Sequence, residues 1–486
     1  MQRSSFFAIW IALCLTLTGA TRPKAVTKVQ PPKVTVPDSY YQQAGAGGTT
    51  IDTALGNWWA TLNDPELSAL IDRAVKSNLD LKIAFSRILE ARAARRVTRA
   101  DLLPRVSSSD TVQRVRGGFT SGLFNVKKDA SAGSSLLTPF ESNVFQSGFD
   151  ASWELDFFGG RRRALEAATA DLTAIEEARR GTLLGLLAEV ARNYSEVRGF
   201  QRRLEITERN IKLQEDSLEL TRVRAEAGLG TQLDVERQAA QLDSTRALVP
   251  SLEAAEIQTI HRLGVLLGEE PGTLLKELAQ NKPLPRVPPA VPVGLPADLL
   301  KRRPDVREAE AHVAAETARV GVARADLFPK ILLSGAAGRQ GTGPSGLTLG
   351  AGNLFSIGPA IRLPIFTAGK IRGNIEAQKE RLDQALTAYK STVLRSLEDT
   401  ENSLVAYGHE KERREKLAAA VESSRRATGL ANELYTRGLS DFLSVLDAQR
   451  QQLVAEEDLA QSDTAVVTSL VALYKALGGG WETVGQ

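Results

Sequence analysis

Apolar residues recur every seven positions along one uninterrupted stretch of the chain, residues 161–227, which contains no proline. The members of this first stripe are Leu183, Val190, Val197, Leu204, Ile211, Leu218 and Ala225. A seven-residue period is typical of coiled coils, so the pattern predicts one very long helix packed against others. At a rise of 1.5 Å per residue such a helix reaches ~100 Å. Residues 370–437 form a second proline-free stretch of similar length.

A second seven-residue stripe runs along the first long helix, offset from the first stripe by two positions. It consists of Ile206, Leu213, Leu220 and Ala227. Two positions correspond to roughly 200° around a helix, so the two stripes face nearly opposite sides. A two-stranded coiled coil needs only one apolar seam. Two opposed seams predict a helix with a neighbour on each side, as in a closed ring.

Two segments that precede the long helices alternate between apolar and polar residues. In 145–157 the odd positions are mostly apolar, whereas the even positions include Asp150, Glu154 and Asp156. In 355–365 the same alternation places Arg362 on the polar side. The length suits a tilted membrane strand, which needs about 9–11 residues. A soluble antiparallel sheet with one wet face is the alternative interpretation of the alternation taken alone.

The chain contains an internal duplication with a period of roughly 210–225 residues. ADLLPRV at 100–106 recurs as ADLFPKI at 325–331, and LDFF at 155–158 recurs as LPIF at 363–366. The pair Gly228-Leu229 recurs as Gly438-Leu439, in the same order relative to the other motifs. Each copy has one plan: a helix that ends at a proline, two strands, a glycine turn and a very long helix.

These signals divide the chain into six segments. We expect a signal peptide at 1–20, an extended arm at 21–63, a first repeat at 64–280, a proline-rich linker at 281–296, a second repeat at 297–477 and a tail at 478–486. The predicted strands lie at about 105–116 and 143–157 in the first repeat, and at about 330–338 and 354–365 in the second. The first strand of each pair alternates poorly and is assigned from its context.

The N-terminus has the features of an export signal. Arg3 provides a short positive region, residues 6–17 an apolar region, and Thr18, Gly19 and Ala20 a small-residue end. We expect cleavage after Ala20. We expect no acyl anchor, because Cys14 follows a bulky leucine, and the mature chain offers no apolar stretch long enough for a transmembrane helix.

Composition argues against several functional classes. The 61 Lys and Arg nearly balance the 58 Asp and Glu, which gives no reason to expect a nucleic-acid partner. The single cysteine excludes disulfides within the chain, and the three histidines lie far apart in sequence. No nucleophile–base pair, metal-ligand spacing or cofactor motif stands out. The sequence therefore predicts a protein that is not an enzyme and needs no cofactor or metal.

The predicted strand count implies an oligomer. Four strands do not close a membrane barrel, since the smallest such barrels have eight, and an open sheet edge is not tolerated in lipid. The chain must share its barrel with at least one other copy, and three copies supply twelve strands.

Several motifs resemble the TolC/OprM/NodT family of outer-membrane efflux proteins, in its branch that serves resistance–nodulation–division pumps. They are NWW at 57–59, NDPEL at 63–67, LPADLLKRRPDV at 295–306, VLDAQR at 445–450 and LYKALGGGW at 473–481. The resemblance covers nearly the whole mature chain. It implies a mainly α fold with a membrane β-barrel contribution: a homotrimer with a twelve-stranded barrel continuous with a periplasmic α-barrel.

The resemblance also implies the function. The chain would be a passive outer-membrane exit duct for drugs or other small molecules. Its partners would be a periplasmic membrane-fusion adaptor, an inner-membrane resistance–nodulation–division transporter and the outer-membrane lipid. A type I secretion duct and a periplasmic coiled-coil scaffold without a pore are the alternatives. The scaffold predicts a soluble protein that does not conduct.

Two sets of side chains are candidate site residues. By resemblance, a periplasmic gate lies at the two Gly-Leu turns, with Asp234, Tyr435, Arg437, Asp441 and Asp447 as its residues. Ser440 and Ser444 depart from the family pattern, because some members carry an arginine and an aspartate there. The alternative is that these polar residues only solvate and cap helix ends. The alternation assigns Asp150, Glu154, Asp156 and Arg362 to the lumen of the barrel.

Overall fold

The computed structural model describes residues 37, 39–41, 55–117, 140–289, 291, 296–344 and 352–482. The predicted signal peptide, with Cys14 and Ala20, lies outside the described residues. So do most of the predicted arm, part of the predicted linker and the last residues of the predicted tail.

The order of elements repeats once along the chain. The first half contains α1 (Pro65–Ser77), α2 (Leu79–Ala100), β1 (Arg105–Gly117), β2 (Phe140–Leu155), α3 (Gly160–Glu226), α4 (Gln232–Arg246) and α5 (Leu248–Leu266). After the short α6 (Leu275–Leu278), the second half contains α7 (Pro296–Arg302), α8 (Pro304–Ala325), β3 (Lys330–Gly341), β4 (Asn353–Arg362), α9 (Lys370–Thr436) and α10 (Phe442–Ala476). Both halves therefore have the plan of helices, two strands, a 67-residue helix and a returning helix.

The two long helices, α3 and α9, are polar overall. Across the described part of the chain, no helix combines the length and the apolar composition needed to cross a membrane. Helix α1 begins as its sequence predicts. The Asp64 side chain accepts hydrogen bonds from the backbone N–H groups of Glu66 and Leu67, each at 3.0 Å, and Pro65 takes the first helical position.

One compact unit, built from residues 90–172 and 312–385, contains a four-stranded antiparallel sheet in the order β1-β2-β3-β4. The register pairs Arg105 with Ser152, Leu155 with Ile331, and Lys330 with Arg362. The strand ends that adjoin helices thus lie at one end of the sheet. The ends at residues 117, 140, 341 and 353 lie at the other, which we call the loop end.

The register assembles one largely apolar face from the four strands, interrupted by Asp110 on β1 and Arg339 on β3. Directly paired residues point to the same side of a sheet. Phe149 pairs with Ala337, and Ala337 pairs with Phe355, so the three lie on one face. The side chains of this face are exposed within the single chain: Phe149 is 64% exposed and Phe355 76%. A soluble sheet with one wet face would bury this side instead.

Two strands end earlier than the alternation predicted. β2 ends at Leu155 rather than 157, because the next residue, Asp156, caps α3. Its carboxylate accepts hydrogen bonds from the backbone N–H groups of Arg161 at 3.1 Å and Arg162 at 2.9 Å. β4 ends at Arg362 rather than 365, close to Pro364, which has no N–H to donate to a ladder.

The other compact unit, residues 31–89, 173–311 and 386–486, contains the largest hydrophobic core. Trp58 is fully buried there and stacks on Tyr474 with ring centroids 5.1 Å apart. Trp58–Leu62 forms a 3-10 helix. Residues 55–63, which the sequence placed in an extended arm, are therefore packed into this core by their aromatic side chains.

Two motifs of the second repeat meet in the same unit. Arg303, from the segment at 295–306, donates to the carbonyl oxygen of Ala476 at 3.2 Å and pairs with Asp305 at 2.7 Å and Asp399 at 3.0 Å. Nearby, the Trp481 indole N–H donates to the carbonyl oxygen of Arg302 at 3.1 Å. The segment at 473–481 is thus fastened to the start of the second repeat.

Candidate functional site at the hairpin turns

Helices α3 and α4 form one hairpin, and α9 and α10 form a second. Both turns have the same geometry. Gly228 and Gly438 each have φ of +72°, a conformation that glycine adopts without a steric penalty. The N–H of Leu229 donates to the carbonyl oxygen of Arg224 at 2.8 Å, and that of Leu439 to Leu434 at 2.9 Å. These bonds from the third residue after each helix satisfy carbonyls that the helix end leaves free.

The helices that follow the turns are each capped by a hydroxyl and a carboxylate three residues apart. The hydroxyl comes first at α4 and the carboxylate comes first at α10. At α4, Thr231 is the N-cap and Asp234 completes a capping box, with the Thr231 hydroxyl donating to Asp234 at 2.7 Å. At α10, Asp441 is the N-cap and the Ser444 hydroxyl donates to it at 2.6 Å. The turns superpose in sequence with an offset of 210, so Ser444 stands at the position of Asp234. The carboxylate missing at 444 is supplied by Asp441.

Capping also sets the charge state of Asp441. The hydroxyl of Ser444, and then its backbone N–H, hold the pKa of the Asp441 carboxyl below its ordinary value. Partial removal of the carboxylate from water would raise this pKa, but Asp441 is exposed and the hydrogen bonds have the larger effect. Asp441 therefore stays ionised at neutral pH and presents a negative charge at the second turn.

Tyr435 is the buried member of the candidate gate. It packs edge-on against Phe442 of α10, with ring centroids 5.5 Å apart, and these residues share a small core with Val445 and Leu446. The guanidinium carbon of Arg224, in the last turn of α3, lies 4.6 Å from the centre of the Tyr435 ring. The ring therefore joins the end of the first hairpin to the second.

The remaining predicted gate residues make local contacts. Arg437 pairs with Glu433 one turn earlier on α9, at 2.5 Å, and both side chains are exposed. Asp447 accepts a hydrogen bond from Gln451 one turn later on α10, at 2.7 Å. The carboxylates of Asp234, Asp441 and Asp447 are thus engaged with neighbours along their own helices, which is the capping and solvating role that the sequence left open.

Arg224 is the residue of this site that sequence reasoning missed. Besides stacking on Tyr435, its Nη1 donates to the carbonyl oxygens of Tyr435 and Thr436, each at 3.3 Å. A cation there suits the partial negative charge at the C-terminus of α9. A comparison of the two repeats could have found Arg224. The equivalent position in the second repeat is Leu434, so the two copies differ at the residue that makes the cross-hairpin contact.

A second set of contacts joins the hairpins farther from the turns. We call it the cross-hairpin cluster: Arg203, Thr207 and Asn210 of α3, Arg425 of α9, and Glu456 and Glu457 of α10. Glu456 is 4% exposed; it receives hydrogen bonds from Arg425 Nε at 2.8 Å and Asn210 Nδ2 at 3.1 Å. Glu457 receives one from Arg203 Nε at 2.6 Å. Two adjacent carboxylates of α10 thereby fasten it to both long helices.

The electrostatics of Glu456 are a balance of opposed effects. Burial alone would raise the pKa of its carboxyl, but hydrogen bonds from Arg425, Asn210 and Gln452, together with the charge of Arg425, hold that pKa below the ordinary value of 4.5. The ionised form is the one that the cluster binds. The cluster is therefore intact at neutral pH.

The predicted lumen residues lie on or next to the sheet. Asp150 accepts a hydrogen bond from Ser109 across the strand pair at 2.5 Å, and Glu154 pairs with Arg161 at 2.7 Å. Arg362 ends β4, opposite Lys330. Asp156 differs from the expectation of a pore-lining side chain on the strand, because its carboxylate caps α3 and pairs with Arg162 at 3.1 Å.

Within the described ranges, no group of three or more His, Cys, Asp or Glu is placed to hold a metal ion.

Comparison with known proteins identifies the family. The sequence profile of the outer membrane efflux protein family matches residues 70–269 and 295–479, one match for each repeat. Nodulation protein T of Rhizobium leguminosarum bv. trifolii is 32% identical over 460 residues, 94% of each chain. The toluene efflux pump outer membrane protein TtgI of Pseudomonas putida is 33% identical over 435 residues, 89% of each chain.

Solved structures agree with this assignment. The outer-membrane channel OprN has a TM-score of 0.85 and 36% identity, with 93% of this chain and 98% of that chain covered. The outer membrane channel MtrE of Neisseria gonorrhoeae, solved in an open state, has a TM-score of 0.77 and 26% identity, with 94% and 98% covered. The predicted family, the mainly α fold class with its strand contribution, the channel role and the outer-membrane location are confirmed. The chain therefore belongs to the outer membrane efflux protein family.

Proposed function

We propose that three copies of the chain form a passive exit duct across the outer membrane and periplasm, gated at the hairpin turns. The observation that carries the proposal is the largely apolar sheet face, whose exposed apolar side chains lie on β1, β2 and β4 of the single chain. Lipid is the environment that such a face requires. Four strands per chain leave two open edges, and twelve strands from three copies close the sheet.

The second apolar stripe of α3 supports the same assembly. Residues of the first stripe, such as Val190 and Val197, are fully buried within the chain. On the second stripe, Ile206 is buried, but nearer the turn Leu213 is 48% exposed and Leu220 is 41% exposed. A half-exposed leucine seam on a long helix needs a partner helix, and the next copy of the chain provides one in a closed α-barrel.

The gate is proposed at the contact between the two hairpin ends. Tyr435 is held by Arg224 of the first hairpin, while Asp234, Asp441 and Asp447 place carboxylates around the turns and Arg437 adds a guanidinium. Breaking the Arg224 contact frees the end of the second hairpin. The solved open state of MtrE supports an opening transition in a channel of this fold.

The proposed transport system has three components. TtgI is named as the outer membrane protein of a toluene efflux pump, which supports export of small molecules for this chain as well. The duct would receive drugs or other small molecules from an inner-membrane resistance–nodulation–division transporter through a periplasmic membrane-fusion adaptor. It would perform no chemistry and carry no cofactor. Asp150, Glu154 and Arg362 would line the barrel lumen and favour hydrated polar solutes.

The proposal is tested by purifying the protein from outer membranes in detergent, measuring its native mass and recording its conductance in a planar bilayer. A mass of three chains with small, cation-preferring currents is the expected result. A soluble monomer or dimer that never conducts would refute the duct and support a periplasmic scaffold. Conductance from an assembly with a different number of chains would refute the shared twelve-stranded barrel alone.

A further inference from the structure

The apolar face of the sheet has a defined height. Between Phe145 and Leu155, the alternate residues of β2 lie on this face, with Val106 and Val112 beside them on β1. Ten residue steps at ~3.3 Å extend ~33 Å along the strand. A strand tilted by ~40° converts this length to ~25 Å, the height of the lipid-facing band of an outer-membrane barrel.

Two arginines extend the same face of β1 beyond this height, toward the loop end of the sheet. Arg114 and Arg116 follow Val112 at intervals of two, so all three side chains project to one side. The side chain of Arg114 is 73% exposed and that of Arg116 is 71% exposed. On β1, this face therefore changes from valine at 112 to arginine at 114 and 116 where the lipid-facing band ends.

The two arginines share a single carboxylate. Glu141, opposite Arg116 on β2, lies 2.8 Å from Arg114 through Oε2 and 3.6 Å from Arg116 through Oε1. Two guanidinium groups and one carboxylate leave one net positive charge. Each guanidinium has five N–H donors, so both retain donors that point away from Glu141.

Polar groups lower on the same face have a different arrangement. Asp110, which lies within the height of the apolar band, accepts a hydrogen bond from Ser147 on the neighbouring strand. Arg339 of β3 lies opposite Ser147 on the same face, so the polar residues inside the band lie side by side on three neighbouring strands. The arginine pair above the band is instead open to its surroundings, and Glu141 is the one carboxylate paired with it among the residues that the structure describes.

We propose that Arg114 and Arg116 form a binding site for the phosphate group of a lipid in the outer leaflet. The inference rests on the proposed function, because it requires the apolar face to lie in the membrane with the loop end of the sheet toward the outer leaflet. Guanidinium groups bind phosphate through paired N–H donors. Val112 and Phe149 lie beneath the arginines on the same face and contact the acyl chains of the bound lipid.

The test is native mass spectrometry of the purified assembly titrated with diphosphoryl lipid A, a glycolipid with two phosphate groups. The variant Arg114→Gln with Arg116→Gln is expected to bind the lipid about tenfold more weakly than the wild type. Arg105→Gln is the matched control, because Arg105 lies on the same strand but on the opposite face and at the other end of the sheet. Glu141→Gln, which removes the competing carboxylate, is expected to bind the lipid more tightly than the wild type.

Three outcomes would overturn the site. The first is a double variant that binds lipid A as tightly as the wild type does. The second is an Arg105→Gln control that loses as much affinity as the double variant. The third is complete displacement of the lipid by inorganic phosphate at equal concentration. The last result assigns the arginines to free phosphate. Planar-bilayer conductance of the wild type separates this proposal from the duct itself. A conducting assembly with unchanged lipid binding removes the lipid site alone, whereas a wild type that never inserts removes the proposed function.

Discussion

The guanidinium of Arg224 lies over the ring of Tyr435, 4.6 Å from its centre, and donates to the Tyr435 carbonyl oxygen at 3.3 Å. This one side chain contacts both the aromatic ring and the terminal carbonyls of α9. The Gly438 N–H donates to the same carbonyl oxygen at 3.0 Å, so the turn and the cross-hairpin contact share an acceptor. A movement of either hairpin end therefore affects both.

Arg224→Ala is expected to raise the resting conductance of the channel. A partly exposed cation–π contact contributes roughly 1 kcal/mol, which corresponds to about a fivefold change in the ratio of open to closed channels if the contact exists only when the channel is closed. Single-channel recording measures the change. Arg222→Ala, at a neighbouring exposed position of α3, is the matched control and should conduct like the wild type. Equal currents from all three proteins would exclude Arg224 from the gate.

The two roles of Asp441 are separated by two substitutions. Asparagine is as good an N-cap as aspartate, so Asp441→Asn should keep the start of α10 stable and remove only the charge. Asp441→Ala should lose both the charge and the cap. We expect both variants to show lower cation preference in reversal-potential measurements, and only Asp441→Ala to show faster hydrogen exchange at Ser444 and its neighbours. Wild-type cation preference in Asp441→Asn would leave Asp441 with a capping role alone.

The sequence predicted the architecture because its strongest signals are periodic. The seven-residue stripes, the alternating strands and the repeated glycine turns each follow from local geometry, and the helices and strands lie where these patterns are found. The sequence did not predict Arg224, because its role depends on an aromatic ring 211 positions away. The sequence placed Asp156 on the strand because it continues the alternation of polar positions. In the structure β2 ends at Leu155, and the Asp156 carboxylate caps α3 instead.

Acidification is expected to loosen the cross-hairpin cluster. The pKa of Glu456 is lower in the folded protein than its ordinary value of 4.5, so its carboxylate stabilises the folded state above that pH. This contribution is lost as the pH falls below 4.5 toward the folded-state pKa. Thermal unfolding followed between about pH 7 and pH 3 should show a fall in midpoint temperature at the acidic end.

The variant Glu456→Gln identifies the group responsible. It should be less stable than the wild type at neutral pH, because Arg425 loses a charged partner, and the difference should shrink at the acidic end of the range. Glu433→Gln, which alters an exposed pair with Arg437, is the control and should follow the wild-type curve closely. A difference between Glu456→Gln and the wild type that does not change with pH would assign the pH dependence to another group.

Trp481 is expected to be the most sensitive position of the C-terminal segment. Two guanidinium groups lie over its ring, that of Arg180 at 4.8 Å and that of Arg307 at 5.3 Å from the ring centroid. The buried Glu177 carboxylate pairs with both arginines, so it holds them on the ring. Trp481→Ala removes the surface on which both cations stack and should cost about 3 kcal/mol, measured as the free energy of unfolding.

Trp481→Phe distinguishes stacking from hydrogen bonding at this position. Phenylalanine keeps an aromatic face for the two arginines but loses the indole N–H that donates to the Arg302 carbonyl oxygen, so it should cost only about 1 kcal/mol. Because Trp481 follows α10 directly and the hairpin turns lie at the other end of that helix, both variants should retain wild-type gating once assembled. Equal losses from the two substitutions would mean that the hydrogen bond, rather than the arginine stack, fastens the segment. Loss of stability with altered single-channel gating would mean that the segment also acts on the hairpin ends through α10.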